Sequence, residues 1–501
     1  MTHFHPAADD PGPRSLAELE ARLRRDLEML TLPPSKEWLE PRADAQGRDM
    51  LDVAIIGAGM AGLAAAFALK CLGVRNLRLF DRAPEGFEGP WLTYARMETL
   101  RSPKELTGPA LGFANLTFRA WFEAQFGRAA WDRLHRIPRV QWMDYLRWYR
   151  KMVAVPIENG TELVDLGGDA QSVLLTLRSA SGTRQVTARR VILATGRDGM
   201  GGAYRPALFQ ALDPRYCAHS SDTIDFAALR GKTVAVIGAG ASAVDNAACA
   251  LEAGASRVAM LIRRDDVPRI NKGMGIGSLG LAHGFVRLTA AQRYAIGQYI
   301  ADQAIPPPHD SMLRCSRHPN FSVIARCRPR QAAIKDGRLL LDTSRGLLAF
   351  DFLVLATGFT VDWSKRQELA SLRPHIVLWK DRFTPEGRDE YAHGEAPFLG
   401  PDFEFCARDA TAAPWVGRVH CFTFPAYMSH GPLSGDIPAI SVGAERIAQG
   451  IAAALFAEDY ERTWRRLLAW SNPELDGSEY TLDENVEAFA VDAAMSGAGH
   501  E

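Results

Sequence analysis

The chain has 501 residues, 47% of them hydrophobic and 23% charged, which suits two or three globular domains and excludes a low-complexity or fibrous polymer. Lys+Arg (58) and Asp+Glu (59) nearly cancel, so there is no electrostatic footprint for nucleic acid or a membrane surface. The seven cysteines are scattered without a CxxC pair, which points to reduced thiols in a cytoplasm and away from a disulfide framework or a metal site.

Residues 1–50 read as an N-terminal extension. Its start, MTHFHPAADDPGPR, lacks the apolar core of a secretory signal. Ser15 and Glu18 stand at capping-box spacing ahead of an amphipathic helix expected to reach about Met29, with Pro33 and Pro34 beyond it. No apolar run reaches the roughly 20 residues of a membrane span.

LDVAIIGAG (51–59) is a buried-strand pattern ending in glycine, MAGLAAAFALKC is a helix stopped at Gly73, and LRLFD (77–81) is a second strand. The aromatic-rich stretch 91–150 is expected to be mainly helical. Alternating strands follow, closed by RRVILATG (189–196). The β-α-β pattern then begins again with KTVAVIGAG (232–240), a helix and SRVAMLIRR (256–264). Residues 265–345 look loop-rich, FDFLVLATG (350–358) repeats the earlier closing strand, and 430–455 reads as a loop entering a helix. The expected organisation is α/β, with two Rossmann-like dinucleotide-binding domains, one inserted in the other. The first spans 51–200 and 346–460, the inserted one 201–345, and 461–501 is a C-terminal tail, acidic from about Asp483.

In GAGMAG, Gly57 permits a tight turn, Gly59 lets backbone approach a pyrophosphate, and Gly62 allows close helix–strand packing. Asp81 ends the second strand, where a carboxylate can bond a ribose hydroxyl. This set suits FAD. The second set, Gly238, Gly240 and Ala243 with Ser242 between them, is followed by Arg263 and Arg264 where an acid would otherwise stand. Guanidinium groups there suit the extra phosphate of NADPH. Two solvated surface arginines are the plainer reading. Two dinucleotide sites in one chain imply electron transfer from NADPH to FAD.

Over residues 50–455 the chain resembles the class B flavin monooxygenases: the flavin-containing monooxygenases, the lysine and ornithine N-hydroxylases and the Baeyer–Villiger enzymes. The resemblance rests on GAGMAG, GPW (89–91), ATG (194–196), GAGASA and ATGF (356–359). It places Trp91 against the flavin region and makes Thr195, Gly196, Thr357 and Gly358 cofactor neighbours. Asp436, in SGDIP, matches a contact to the flavin ribityl chain, and an Asp N-cap is its alternative reading. His430 would act on substrate or flavin protons if its turn faces the flavin; a structural histidine is the alternative. SPKEL (102–106) resembles the family's SKEM segment, but Arg101 stands where an asparagine usually precedes it, so Arg101 is the second catalytic candidate. His219 would be the histidine of the family fingerprint, with Asp213, Arg215 and Thr223 departing from it. The resemblance would have the inserted loop with His309, Asp310, Arg314, Arg317 and His318 line the substrate cavity, a solvated charged loop being the plainer reading of each; Arg269 and Lys272 would assist NADPH, with surface charge as the equal alternative.

The implied activity is NADPH-dependent flavin monooxygenation. One oxygen atom of O2 would enter a small-molecule nucleophile, most readily an amine nitrogen, in a water-excluding pocket. The alternatives are Baeyer–Villiger oxidation of a ketone, an NADPH oxidase or reductase, and a flavin-binding redox sensor without turnover. The expected partners are the substrate and O2, without nucleic acid, membrane or metal, and a homo-oligomer is among the assemblies the resemblance implies.

Overall fold

In a computed structural model, residues 12–44, 46–386, 393–484 and 487–489 are described. The readings of the first eleven residues and of most of the acidic tail lie outside them. The chain divides into a body ending at Leu455 and a C-terminal piece from Phe456. That piece carries the helix Tyr460–Ala469, so the expected tail begins with ordered structure.

The first sheet is built on the strand Asp49–Ile56. On one side it pairs in parallel with Leu77–Asp81, and that strand with Ile157–Asn159. On the other it pairs in parallel with the end of the long strand Gly182–Leu193, whose beginning pairs antiparallel with Val173–Ser179. Val419–Cys421 joins the same long strand in parallel. The second sheet runs Phe321–Ile324, Arg257–Leu261, Thr233–Ile237, Phe352–Leu355 and Cys217–His219, all parallel. Its strands therefore fall, in chain order, between Gly182–Leu193 and Val419–Cys421 of the first.

The domain boundary expected at 346 does not match this pairing. Val234–Ile237 binds Phe352–Leu355, so the second closing strand completes the second sheet. A run of FLVL buried on both faces needs a parallel neighbour, and only register, which is non-local, decides which sheet supplies it.

The loop-rich expectation for 265–345 is also corrected. The segment holds helices Leu279–Gly284, Ala290–Gln303 and His309–Ser316, and most of an antiparallel three-stranded sheet over 329–350. Ala290–Gln303 starts at a full capping box, Thr289 with Gln292, a signal present in the sequence as TAAQ.

Elsewhere local patterning held. The first helix is Leu16–Met29, with the Ser15 side chain accepting from Glu18 N–H. The first nucleotide-turn helix is Met60–Cys71 and the second Ala241–Glu252, both starting at glycine N-caps. The aromatic stretch forms Phe118–Phe126, Arg128–Arg133 and Arg139–Val153, and packs inward: Phe118, Trp142, Tyr145 and Tyr149 are fully buried. Ile437–Glu458, which includes the helix Ile440–Glu458, is long and apolar enough to cross a membrane, beyond what the apolar-run expectation allowed. Its Ile440, Ala444, Ile447, Ala448, Ile451 and Leu455 are nevertheless buried in the body's main core.

Gly62 sets the angle between its helix and the preceding strand. A Cβ there would lie 1.9 Å from Gly57 O, a backbone atom that cannot swing away. Gly62→Val is expected to cost about 3 kcal/mol or more, whereas Gly59→Ala, whose Cβ meets nothing within 4 Å, costs about 1 kcal/mol or less. Thermal unfolding of the two variants checks this, and equal midpoints would contradict it.

Candidate functional site

Two cradles share one construction. Gly57 adopts φ +104°, and a Cβ on it would lie 2.4 Å from Ala194 O, in the ATG turn of the neighbouring strand. Gly238 adopts φ +140°, and a Cβ on it would lie 2.6 Å from Ala356 O, in the second ATG turn. Each glycine turn thus rests on an ATG turn, and only glycine fits. Around Gly59 and Gly240 a Cβ would meet nothing within 4 Å. Both stand at the N-terminus of a twelve-residue helix, where free N–H groups and the helix dipole favour an anion.

At the first cradle, Asp81 accepts from Ala58 N–H (2.7 Å) and Ala83 N–H (2.8 Å). The carboxylate is therefore pinned to the glycine turn, with lone pairs left for a ribose hydroxyl. A cleft beside it is lined by Ala58, Gly59, Met60, Glu88, Arg147 and Arg150. Glu88 is buried and paired with Arg150. The sequence reading missed these last three. Their signal is helical spacing: Met143, Leu146, Arg147 and Arg150 share one face of Arg139–Val153.

Trp91 is half-buried and meets Trp142 edge-on at 6.2 Å between centroids. Thr195 Oγ1 is buried with no hydrogen-bond partner, an orphaned polar atom beside the first cradle. Gly196 (φ +82°) and Gly358 (φ +79°) both have open space where a Cβ would stand. The Thr357 hydroxyl donates to Tyr204 O. In the SPKEL stretch, Lys104 donates to Trp131 O (2.8 Å) and lies over that ring, a packing role.

At the second cradle the two arginines separate. Arg264 donates to Asp302 O (2.7 Å). Arg263 is exposed and has no hydrogen bond or ion pair among the described residues. Ser242 is exposed on the first turn of its helix. Arg269 is occupied by Asp266. Arg314, expected at the substrate, is buried and bidentate to Glu252 (2.9 and 2.7 Å), which fastens the helix His309–Ser316 to the helix Ala241–Glu252. His219 is fully buried, with Nδ1 on Ser221 Oγ (2.7 Å).

His430 is corrected outright. Its side chain is 0% exposed and stacked on Phe403 at 3.7 Å. Nε2 donates to Gly400 O (2.9 Å) and Nδ1 accepts from Arg446 Nη1 (3.3 Å). Burial, reinforced by the Arg446 charge, pushes its pKa down to about 3. A neutral ring with both nitrogens engaged and no exposed edge cannot pass protons to a ligand. It is the structural histidine of the alternative reading.

Asp436 is reached by solvent from within a crowded surround, and its side chain makes no cap bond, so the N-cap reading is excluded. Burial raises its pKa, and the nearby Arg197 and Arg101 charges oppose that. Arg101 lies in a concavity that solvent reaches. Nη2 donates to Pro306 O (3.1 Å), and desolvation followed by the Arg197 charge lowers its pKa. Arg101 and Asp436 thus each feel the charge of the other and of Arg197, and Asp436 precedes the core helix Ile440–Glu458.

Residues 54–274 match the family model described as pyridine nucleotide-disulphide oxidoreductase. The chain is 39% identical over 465 residues to an FAD-dependent urate hydroxylase of Xanthomonas campestris, covering 92% of this chain and 98% of that protein. Among solved structures it is similar to the FAD-bound cadaverine monooxygenase of desferrioxamine biosynthesis from Erwinia amylovora (TM-score 0.63, 13% identity, 87% of this chain and 99% of that one). It is also similar to the ornithine N-hydroxylase of Kutzneria sp. 744 with reduced FAD, NADP+ and L-ornithine (TM-score 0.62, 18% identity, 81% and 99%). At these identities the two structures establish the shared fold.

The His430 assignment predicts an acid response. Its folded pKa lies below the ordinary 6.5, so the unfolded chain takes up the proton first and stability falls as pH drops from 6.5 towards about 3. His430→Gln is expected to cost about 1–2 kcal/mol at pH 7 through lost contacts, yet to lose less stability than the parent on going to pH 5. Denaturant unfolding at both pH values checks this, and an unchanged acid slope would contradict it.

Proposed function

Because the chain belongs to the class B flavin-dependent monooxygenases, the family it shares with the urate hydroxylase, we propose that it is an FAD- and NADPH-dependent hydroxylase acting on urate or a close oxopurine. The observation that carries this is 39% identity sustained over 98% of that relative, a span that includes both cradles.

The residues fit the cofactors. FAD would lie on the first cradle, its pyrophosphate in the open space at Gly59, with Asp81 at the ribose and Trp91, Thr195 and Gly196 beside it. The unpartnered Thr195 hydroxyl is the kind of group a bound cofactor satisfies. NADPH would lie on the second cradle at Gly240 and Ser242, with Arg263 at the 2′-phosphate and Thr357 and Gly358 beside it. FAD held there would supply a hydride acceptor for NADPH and, in its reduced form, the means of activating O2. The reaction balances as substrate, NADPH, a proton and O2 giving hydroxylated substrate, NADP+ and water.

The chain's own part is positioning. The N-termini of the helices Met60–Cys71 and Ala241–Glu252 would each offset the charge of a pyrophosphate, and the Asp81 clasp on Ala58 ties the first turn to the strand Leu77–Asp81. Asp436 presents a free carboxylate that solvent reaches. Amine N-hydroxylation is the second reading, and that carboxylate is the feature favouring it, since it would receive an ammonium. The cytoplasmic placement read from the cysteines belongs to the same proposal.

Purified protein is expected to be yellow, to consume NADPH in preference to NADH, and to couple that consumption to urate hydroxylation with one atom of isotopically labelled O2 in the product. Gly59→Val should lose flavin. Arg263→Ser should raise the KM for NADPH about 10- to 100-fold and leave that for NADH unchanged. Turnover of ornithine or cadaverine without urate turnover would favour the second reading, and no oxygen incorporation from any of them would overturn both.

A further inference from the structure

We propose that the segment Trp91–Met97 is a strap between the FAD cradle and the NADPH cradle, and that Arg139 is the positioning residue that holds it. This rests on the cofactor assignments above and adds to them the element that sets the spacing of the two cofactors.

Arg139 opens the helix Arg139–Val153 and is half-buried. Its guanidinium has no carboxylate at ion-pair distance among the described residues. It directs its donors at one loop: Nε donates to Met97 O (2.9 Å) and Nη1 to Trp91 O. Its backbone N–H donates to Glu98 O (2.9 Å), and Leu100 N–H to Ile137 O (2.8 Å). A guanidinium is a flat fork of donors with no acceptor, so one side chain can staple the carbonyls at both ends of the segment. One turn further along the same helix, Trp142 meets the Trp91 ring edge-on at 6.2 Å. Arg139–Val153 itself packs against Met60–Cys71, the helix of the first cradle. The first end of the strap is thus gripped at backbone and at ring.

The rest of the strap meets the second sheet and its ATG turn. Tyr94 packs on Phe359 (6.2 Å between centroids), the residue after Gly358. Arg96 Nη2 donates to Asp222 O (3.2 Å), just past the edge strand Cys217–His219, and its guanidinium lies 5.6 Å from the Phe226 centroid. Arg96 Nη1 turns back to Thr93 O (2.7 Å), which fixes the turn between Tyr94 and the arginine. Arg96 O accepts from Arg314 Nη1 (3.4 Å), the arginine already bound to Glu252 of the second cradle's helix. One short segment therefore touches both constructions, with Trp91 on the first side and Tyr94 and Arg96 on the second. Transfer of a hydride between two bound cofactors tolerates little misplacement, and about 1 Å can cost about 100-fold in rate. A strap released at Arg139 keeps its hold on the second sheet and loses its register on the first.

The test uses the full-length FAD-loaded protein without oxygen. Arg139→Gln and Tyr94→Leu cut the strap at opposite ends. Each should slow flavin bleaching by NADPH about 10-fold or more, with FAD content and the NADPH concentration for half-maximal rate unchanged. Bleaching by dithionite, which needs no second cradle, should keep the parent's rate. Arg139→Lys, which reaches one carbonyl, should recover part of the NADPH rate. A second readout needs no cofactor: the Arg96–Met97 bond should resist trypsin in the folded parent and be cut about 10-fold faster in folded Arg139→Gln, read by mass spectrometry. NADPH bleaching at the parent's rate in both Arg139→Gln and Tyr94→Leu, equal trypsin resistance of parent and Arg139→Gln, or an equal slowing of dithionite would each overturn the strap. If NADPH fails to bleach the parent itself, the cofactor assignment falls and the spacing role falls with it. A parent that bleaches beside variants that bleach equally fast removes the strap alone.

Discussion

The geometry of this protein depends on one close approach, made twice. The first glycine of each nucleotide turn lies against the carbonyl of the alanine that opens an ATG turn, at Gly57–Ala194 and Gly238–Ala356. A side chain at either glycine would collide with backbone, so the parallel strands behind them could not end at the same level. Because they do, each helix starts at the sheet edge with its N–H groups facing open space. The cradles are therefore a consequence of strand pairing, and the residues that shape the site mostly shape the fold first.

The rest of the body holds those edges in place. Arg189 is fully buried, donates to Asp52 Oδ1 (3.2 Å) and to Leu455 O (3.2 Å), and so links the first and closing strands to the end of the core helix. A buried arginine is tolerated only when paired and hydrogen-bonded. His430 ties Gly400 to Arg446, and Arg446 donates to Ala282 O (2.8 Å). These polar ties fix the turn 431–436, with Asp436, on the body. Arg314 does the same for the helices beside the second sheet, reaching Glu252 and lying 3.6 Å from Glu98. Bound cofactors need such rigid surroundings, because reacting groups tolerate little misplacement.

What the sequence disclosed was what neighbours in the chain decide. GAGMAG and GAGASA announced turn, helix start and the small packing residue, Gly62 or Ala243, within six residues. Ser15 with Glu18 announced a helix, and Gly73 its end. The capping box at Thr289 and Gln292 was equally legible, yet the surrounding charged residues read as loop. Pairing of 352–355 with the second sheet was not legible, because a doubly buried strand looks the same whichever sheet takes it. His430 misled for a similar reason. A histidine in a glycine- and proline-rich turn suggests exposure, and only the packing of Phe403 and Arg446 around it shows a sealed, neutral ring. Arg264 and Arg263 are adjacent and chemically identical in sequence, and a single carbonyl, Asp302 O, distinguishes them.

The most direct measurement is anaerobic. Purified protein is supplied with FAD, freed of excess, and mixed with one equivalent of NADPH in the absence of oxygen while the flavin absorbance is followed. An FAD site and an NADPH site in one chain predict one flavin retained per chain and rapid bleaching by the added NADPH. A preparation that keeps no flavin, or one whose bound flavin stays oxidised with NADPH present, would contradict the account.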